Sequence, residues 1–222
     1  MVEVSVVLPC RNEERGIGKC IEKIKTVFNE QHIDGEIIVS DSSSDRSGEI
    51  ARGMGVRVVR HEREGYGNAY LQALDKAGGN FVIIGDADNT YDFLEIPRLL
   101  NKLKSSDFVI GSRMKGDIKK GAMKSLHRHV GNPLLNSMFN LLYGTRITDT
   151  HSGFRGIRRE KLSMLRLGSP GMEFALEMII EAKRNGLIIS EVPISYYPRE
   201  GFSKLNSFRD GWRHVKFIIG KL

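Results

Sequence analysis

Two carboxylates follow a short apolar run near the middle of the chain. Residues 81–84 read Phe-Val-Ile-Ile, Gly85 ends the run, and Asp86 and Asp88 follow with Ala87 between them. A continuous apolar run is typical of a buried strand, and ligands of open α/β sheets bind at the carboxyl ends of strands. Two acids at such an end repel each other unless a cation neutralises them, and Mg²⁺ and Mn²⁺ prefer carboxylate oxygens. We therefore predict a Mg²⁺ or Mn²⁺ site here, with a simple pair of loop acids as the alternative.

Basic residues are concentrated directly after this acidic segment. The chain has 222 residues and a net charge of +7, and residues 111–166 contain 12 Lys and Arg against 3 Asp and Glu. Such a block suits a polyanionic ligand or an anionic membrane surface, and the alternative is a solvated basic face. Aromatic residues are not interleaved with the charges between residues 111 and 130, so nucleic acid is not an expected partner.

The composition indicates one sizeable globular domain. Apolar residues make up 40% and charged residues 27% of the chain, which is ordinary for a folded protein. We interpret Cys10 and Cys20 as reduced, buried thiols rather than a disulfide. The first residues lack the basic region of a signal peptide. The sequence also has no stretch of about 18 apolar residues, so we predict no membrane span within it.

The elements that would position the two carboxylates alternate regularly in the first half. Apolar runs predict strands over residues 4–8, 36–39, 56–59, 81–84 and 108–110. Helical periodicity lies between them, over residues 17–28, 45–52, 65–77 and 93–103. This alternation predicts an α/β fold with a mostly parallel central sheet flanked by helices.

The second half is less regular. Residues 114–130 predict a mobile basic loop, and residues 148–155 a polar turn. The apolar face over residues 134–142 favours a core helix over membrane contact. A helix is expected over residues 172–184 and an edge strand over residues 187–197, since Pro193 cannot donate to a ladder.

The tail has the pattern of a basic amphipathic helix. Phe208, Trp212, Val215 and Ile219 share one face, with Arg and Lys residues between them. Docking on a membrane and docking on the domain are equally compatible with this pattern.

Several segments, taken in order, resemble the family-2 inverting glycosyltransferases, which have the GT-A nucleotide-diphospho-sugar transferase fold. The later segments are similar to the polyprenyl-phosphate branch, typified by dolichyl-phosphate mannose synthase. The matching segments are Pro9-Cys10-Arg11-Asn12-Glu13, Val39 to Asp45, Asp86-Ala87-Asp88, Gly111-Ser112-Arg113, Asp149 with Ser152-Gly153-Phe154, and Arg199 to Lys204. We expect one GT-A catalytic domain over residues 1–222. It would comprise a nucleotide-sugar-binding half (1–112), an acceptor-binding half (113–207) and an amphipathic tail (208–222).

The chain departs from the family pattern at two places. Arg11 stands where these enzymes often carry an aromatic residue that contacts the base. Asn89 and Thr90 follow the carboxylate pair where the mannose synthases have Leu-Gln. Thr90 would therefore replace a glutamine-type metal ligand, and both the base and the sugar stay open.

The resemblance implies metal-dependent, inverting transfer of a hexose from a nucleotide sugar of the GDP-mannose or UDP-glucose type. The acceptor would be a polyprenyl (dolichyl) phosphate at the cytoplasmic face of a membrane, with the protein peripherally associated. The alternative is a soluble glycosyltransferase that acts on a hydroxyl acceptor in polysaccharide or glycoconjugate synthesis.

The acceptor determines which side chains are needed. A phosphate monoester brings its own nucleophile, whereas a hydroxyl needs a base, for which Asp149 is the candidate. The expected catalytic residues are Asp88, Arg113 and Asp149. The expected metal ligands are Asp86, Asp88 and Thr90. The expected nucleotide-sugar-binding residues are Pro9, Arg11, Glu13, Asp41, Gly67, Asn68, Asp86, Ala87 and Asp88. The expected acceptor- and phosphate-binding residues are Arg113, Arg128, Ser152, Arg199 and Lys204.

Overall fold

The computed structural model describes residues 2–201 and 207–221, and this part of the chain forms one seven-stranded sheet with helices on both faces. The strands are β1 (Val4–Cys10), β2 (Gly35–Asp41), β3 (Arg57–Arg60), β4 (Phe81–Ile84), β5 (Phe108–Ile118), β6 (Arg155–Arg158) and β7 (Ile189–Tyr196). The α-helices are α1 (Ile17–Glu30), α2 (Ser47–Gly53), α3 (Tyr66–Leu71), α4 (Ile96–Leu103), α5 (Asn132–Tyr143), α6 (Arg159–Leu162), α7 (Phe174–Arg184) and α8 (Ser207–Gly220).

The strand order is β3-β2-β1-β4-β6-β5-β7. All neighbouring pairs are parallel except those of β6, which runs antiparallel to both β4 and β5. Side chains of β1 alternate between the two faces, so Val6 and Leu8 belong to one apolar cluster and Val7 to the other. Burial on both faces explains why the central strands read as continuous apolar runs. The predicted α/β architecture is confirmed.

The loop predicted over residues 114–130 is wrong, and one strand of the second half was missed. Residues 114–118 are not loop, because β5 continues to Ile118 and pairs with the end of β7. Helical structure then begins at Ser125 and includes a π-helical turn (His127–Gly131) that leads into α5. Strand β6 was not predicted, because a segment reading Arg-Gly-Ile-Arg has no apolar run. Strand β6 lies between β4 and β5 and forms antiparallel hydrogen bonds with both, so its pairing depends on these two neighbours.

Other expectations are confirmed only in part. The helix expected over residues 65–77 is shorter, since α3 ends at Leu71 and a separate 3₁₀ turn covers Leu74–Lys76. The predicted core helix is α5, but only one side of it is buried, at Phe139 and Asn136.

Two further expectations are confirmed, for the strand over residues 187–197 and for the cysteines. Strand β7 lies at the sheet edge as expected. Helix α8 packs on the domain, with His214 and Ile218 buried. Both cysteines are free and buried. None of the described helices combines the length and hydrophobicity that crossing a bilayer requires.

Candidate functional site

The sheet brings three polar segments to one edge. Cys10 at the end of β1 is level with Asp41 at the end of β2. Strand β4 pairs with the other side of β1, so its two carboxylates emerge beside the loop after β1. A Cβ atom on Gly16, just before α1, would lie 2.8 Å from the carbonyl oxygen of Ala87. Only a glycine therefore allows the start of α1 to approach the carboxylate segment this closely.

Asp86 is partly buried. Its Oδ1 atom is buried and has no hydrogen-bond partner among the described residues. Burial, followed by the charge of Asp88, raises the pKa of Asp86 to about 7. A Cβ atom on Gly153 would lie 3.2 Å from both Asp86 carboxylate oxygens and 2.6 Å from the Tyr66 hydroxyl, which explains the glycine there. An unsatisfied carboxylate oxygen with a raised pKa is what a bound cation would relieve. The residues therefore fit a metal.

Asp88 is buried and already has several partners. Its Oδ1 accepts hydrogen bonds from the Thr90 hydroxyl at 2.6 Å and from the Thr90 backbone N–H at 3.1 Å. Thr90 thus orients Asp88, and its expected role as a metal ligand stays a prediction. Across residues 2–201 and 207–221 there is no group of three or more His, Cys, Asp or Glu side chains arranged for a metal. A divalent ion at this pair would have to take its remaining ligands from substrate phosphates and water.

The segment after β7 closes over Asp88. The guanidinium of Arg199 donates to Glu13 and forms an ion pair with Asp88, with 2.9 Å between Nη1 and Oδ2. The backbone N–H of Glu200 donates to the carbonyl of Asp88 at 3.3 Å. The Arg199 side chain therefore bridges the carboxylates of Glu13 and Asp88, two predicted donor-site residues that are far apart in sequence. Lys204, the last predicted residue of this segment, lies outside the described residues.

Asp41 is buried and lines a polar cavity of about 240 Å³. Its Oδ2 accepts from Arg60 at 2.8 Å, and its Oδ1 accepts from the backbone N–H of Ser43 at 3.0 Å. The other lining residues are Ser44, Asp45, Gly48, Glu49 and Arg52. Pro9 on β1 pairs with Ser40 of β2, and the next residue, Cys10, pairs with Asp41. The cavity presents carboxylate and hydroxyl edges of the kind that recognise a nucleoside.

Three further predicted donor residues contact other parts of the protein. Arg11 is exposed and forms an ion pair with Glu64 at 2.5 Å. The backbone N–H of Asn68 donates to Pro170 at 3.0 Å, and the Asn68 side chain donates to the Glu64 carbonyl at 2.7 Å. At Gly67, a Cβ atom would collide with the carbonyl of Ser169. Packing therefore accounts for Gly67 and Asn68, and their contact with a donor stays a prediction.

Arg113 and Asp149 form a buried pair. The guanidinium donates from Nε to Oδ2 at 2.7 Å and from Nη2 to Oδ1 at 2.8 Å, and the backbone N–H of Arg113 adds a third bond of 2.9 Å. Asp149 is fully enclosed. Both of its oxygens thus accept hydrogen bonds from the guanidinium of Arg113. Its use as a catalytic base stays a prediction.

The remaining predicted acceptor residues lie in different surroundings. Ser152 is buried, and its hydroxyl donates to the Gly111 carbonyl at 2.6 Å. Arg128 is exposed on the π-helical turn before α5. Binding of phosphate by either residue stays a prediction.

The sequence analysis missed the residues that support the loop of Asp149. Glu191 on β7 accepts from the backbone N–H groups of Thr148 and Asp149, at 2.9 and 3.2 Å. Asn136 on α5 accepts from the backbone and the hydroxyl of Thr150, at 3.1 and 2.7 Å. A signal was available for Asn136, because Asn136 and Asn140 are two polar residues, four positions apart, in an otherwise apolar helical segment. Glu191 carried no comparable signal.

The chain is similar to known proteins of one family. The profile of the family described as glycosyl transferase family 2 matches residues 5–165. The chain is similar to the low-salt glycan biosynthesis hexosyltransferase Agl6 of Haloferax volcanii, at 49% identity over 218 residues, covering 97% of this chain and 53% of that protein. It thus spans about half the length of that relative. It is also similar to a dolichyl-phosphate hexose transferase of the same species, at 34% identity, covering 98% of this chain and 92% of that protein.

One group of solved structures has a similar fold. Glucosyl-3-phosphoglycerate synthase from Mycobacterium tuberculosis, solved with Mn²⁺, UDP-glucose and phosphoglyceric acid, is similar with a TM-score of 0.77 and 26% identity. The similarity covers 99% of this chain and 79% of that one.

Proposed function

The chain belongs to glycosyl transferase family 2, and on this premise we propose that it transfers a hexose from a nucleotide sugar to a polyprenyl (dolichyl) phosphate, with inversion and with Mg²⁺ or Mn²⁺. It is a glycosyltransferase with the GT-A fold of its structural neighbours. The observation that carries the proposal is the Asp86–Asp88 pair at the end of β4, where one buried carboxylate oxygen has no protein partner among the described residues. The donor is of the GDP-mannose or UDP-glucose type.

On the donor side, Asp86 and Asp88 would hold the metal, with Asp88 oriented by Thr90. When bound, the metal acts as a Lewis acid for the charge that develops on the leaving diphosphate. Asp41 in the polar cavity offers its carboxylate to the nucleoside, and Glu13 pairs with the same Arg199 guanidinium as Asp88. Residues 1–112 supply this donor half, and residues 113–207 the acceptor half.

On the acceptor side, a polyprenyl monophosphate is already a nucleophile near neutral pH, since its second pKa is about 6. Such an acceptor needs cations to hold it rather than a base to deprotonate it. The bidentate bonding of Asp149 by Arg113 supports this choice, because it occupies both carboxylate oxygens. Arg113, Arg128 and Arg199 are the described cations proposed to hold the phosphate. The relative named as a dolichyl-phosphate hexose transferase supports the same acceptor class.

A second candidate acceptor is a soluble phosphorylated molecule with a free hydroxyl. The structural neighbour solved with UDP-glucose and phosphoglyceric acid favours it. In that case Asp149 would have to leave Arg113 and serve as the base. The lipid acceptor places the enzyme peripherally at the cytoplasmic face of a membrane, and the soluble acceptor does not.

The test is a transfer assay that crosses donors with acceptors. GDP-mannose, UDP-glucose and UDP-N-acetylglucosamine are each supplied with Mg²⁺ or Mn²⁺, with and without a short polyprenyl phosphate in detergent. We expect a lipid-linked product from one donor, lost in Asp88→Ala and retained in Asp75→Ala, a matched change at an exposed acid.

Other results separate the alternatives. Transfer to a soluble hydroxyl acceptor, lost in an Asp149→Asn protein that still binds the nucleotide sugar, would favour the second candidate. Failure of the purified protein to bind any nucleotide sugar with either metal would refute both.

A further inference from the structure

Two histidines from distant parts of the chain form a hydrogen bond with each other. His151 belongs to the 148–152 loop, which carries Asp149, and His214 lies on α8. The Nε2 atom of His151 is 3.0 Å from the Nδ1 atom of His214, and the ring centroids are 4.7 Å apart. His214 is buried and His151 is partly buried. The pair is therefore a polar contact that joins α8 to the loop of a predicted catalytic residue.

Asn136 on α5 determines where the hydrogens of the 148–152 loop lie. The backbone N–H of Thr150 can only donate and the carbonyl of Thr148 can only accept. Asn136 must therefore present its Oδ1 atom to Thr150, at 3.1 Å, and its Nδ2 atom to Thr148, at 2.5 Å. The Thr150 hydroxyl lies 2.7 Å from the same Oδ1 atom, so it must donate its single hydrogen to Asn136.

This assignment extends to the two histidine rings. Because the Thr150 hydroxyl gives its hydrogen to Asn136, it can only accept from the Nδ1 atom of His151, which is 2.9 Å away. A neutral imidazole that carries its hydrogen on Nδ1 has an acceptor at Nε2. His214 must therefore donate from its own Nδ1 atom to His151. The three hydrogen bonds have one direction, from α8 through His151 and Thr150 to α5.

The neighbouring charges keep the His151 ring neutral. Arg113 on β5 and Arg155 on β6 are its cationic neighbours. Burial, followed by His214 and these two arginines, holds the pKa of His151 well below its usual value of 6.5. Only the neutral ring offers an acceptor to His214, so the same environment that prevents protonation also preserves the hydrogen bond.

The carboxylates near the pair are already bonded to arginines. Both oxygens of Asp149 accept hydrogen bonds from Arg113. Glu173 on α7 pairs with Arg213, the residue before His214 on α8, at 3.0 Å. Neither acid is therefore available as a new counter-charge for a protonated ring.

The 148–152 loop has supports from the sheet, from α5 and from α8. The buried guanidinium of Arg155 donates to the carbonyls of Ser152 and Thr150, at 2.7 and 2.8 Å. Asn136 adds the bonds from α5. The bond from His214 is the contribution of α8, which follows the loop by more than 50 positions in the sequence. The conformation of the loop thus depends on the docking of a distant helix.

We propose that His214 and His151 are positioning residues, through which helix α8 holds the 148–152 loop in the conformation that binds the acceptor. The inference rests on the proposed function in one respect, since that function places Asp149 and Arg113 on the acceptor side. The direction of the hydrogen bonds and the support of the loop need neither acceptor nor metal. They can therefore be measured on the substrate-free protein.

The first measurement is nitrogen NMR of the histidine rings, assigned with the variants His151→Asn and His214→Asn. At about pH 7.5, we expect both rings to carry their hydrogen on Nδ1. At about pH 5.5, His151 should still be neutral, whereas the exposed ring of His32 should be mostly protonated. A hydrogen on Nε2 of His151 at the higher pH would overturn the assigned direction.

The second measurement is hydrogen exchange of the Thr150 backbone amide, which reports opening of the loop. His214→Leu removes the donor, so this amide should exchange about tenfold faster, because an acceptor on His151 is left unpaired. His214→Asn places an N–H donor where the ring carried Nδ1 and should restore exchange to within about threefold of the unmodified protein. The matched control is Lys216→Leu, a change to leucine at an exposed position of the same helix, which should have no effect.

The third measurement uses the same variants in the transfer assay. His214→Leu should raise the KM for polyprenyl phosphate about tenfold and leave donor binding unchanged, and His214→Asn should restore the acceptor KM. Equal Thr150 exchange in His214→Leu and the unmodified protein would overturn the inference. So would an unchanged acceptor KM in His214→Leu, or equal losses in His214→Leu and His214→Asn. Absence of transfer by the unmodified protein would instead refute the proposed function, and the exchange measurement would still decide whether α8 supports the loop.

Discussion

Asp86 should make the metal-free protein less stable as the pH rises. The carboxyl has a pKa of about 7 in the folded protein, against 3.8 for an unperturbed aspartate. Between these values the unfolded chain ionises while the folded protein keeps the proton. Stability that depends on the protonated carboxyl is therefore present below 3.8 and is lost as the pH rises through about 7. Asn resembles the neutral carboxyl in shape, so Asp86→Asn should escape this loss.

The structure sets the expected size of the effect. A pKa of about 7 instead of 3.8 corresponds to about 4 kcal/mol at high pH, at about 1.4 kcal/mol for each tenfold change in proton affinity. Part of that cost is already present near pH 5, because the unfolded carboxyl has ionised there. Between about pH 5 and about pH 8, the advantage of Asp86→Asn over the unmodified protein should grow by about 2–3 kcal/mol.

The assay is urea unfolding of metal-free protein, followed by far-UV circular dichroism at both pH values. Asp75→Asn is the matched control, because Asp75 is exposed, and its effect should stay near zero at both pH values. Added Mn²⁺ should stabilise the unmodified protein and leave Asp86→Asn nearly unchanged, since a ligand that binds only the folded state raises stability. An Asp86→Asn protein that is less stable than the unmodified one at about pH 8, or an advantage that does not grow with pH, would refute the reasoning.

Three further predictions concern a buried charge, the packing of a glycine and the reactivity of the two thiols. Asp149→Asn should lower the free energy of unfolding by about 3–5 kcal/mol, because its arginine partner stays buried without a counter-charge; a loss below about 1 kcal/mol in urea unfolding would contradict this. Gly67→Ala should cost about 1–3 kcal/mol in the same measurement, since its Cβ meets a backbone carbonyl, whereas Gly53→Ala meets nothing within 4 Å and should not destabilise. Burial raises the pKa of Cys10 and Cys20 to about 12, so neither thiol should react with Ellman's reagent at pH 8 until urea unfolds the protein.

Some features of the site could be predicted because local patterns encode them. Asp86 and Asp88 follow an apolar run, and a run of that kind ends at the carboxyl edge of a parallel sheet whatever surrounds it. The same holds for Asp41 after β2 and for the loop after β1. Each of these predictions needed only the spacing of neighbouring residues.

Other features could not be predicted because they depend on residues distant in sequence. Asp149 reads as a turn acid until β5 brings Arg113 against both of its oxygens. The sequence of β6 has no apolar run that predicts a strand, and β6 is extended because it pairs with β4 and β5 on its two sides. The apolar face of α5 was interpreted as core, because helical periodicity identifies a face but not what covers it.

The sequence by itself was therefore sufficient for the alternation of strands and helices, the carboxylate pair and the membership of a transferase family. Those features lie in segments of a few residues, whose periodicity and order are visible without a partner. Folding was needed to pair Arg199 with Glu13 and Asp88, to place Asn136 beneath the loop of Asp149, and to leave Leu134 and Leu141 uncovered. The physical reason is that burial and charge pairing are properties of contacts between segments, and these contacts form only when the sheet order and the helix packing are complete.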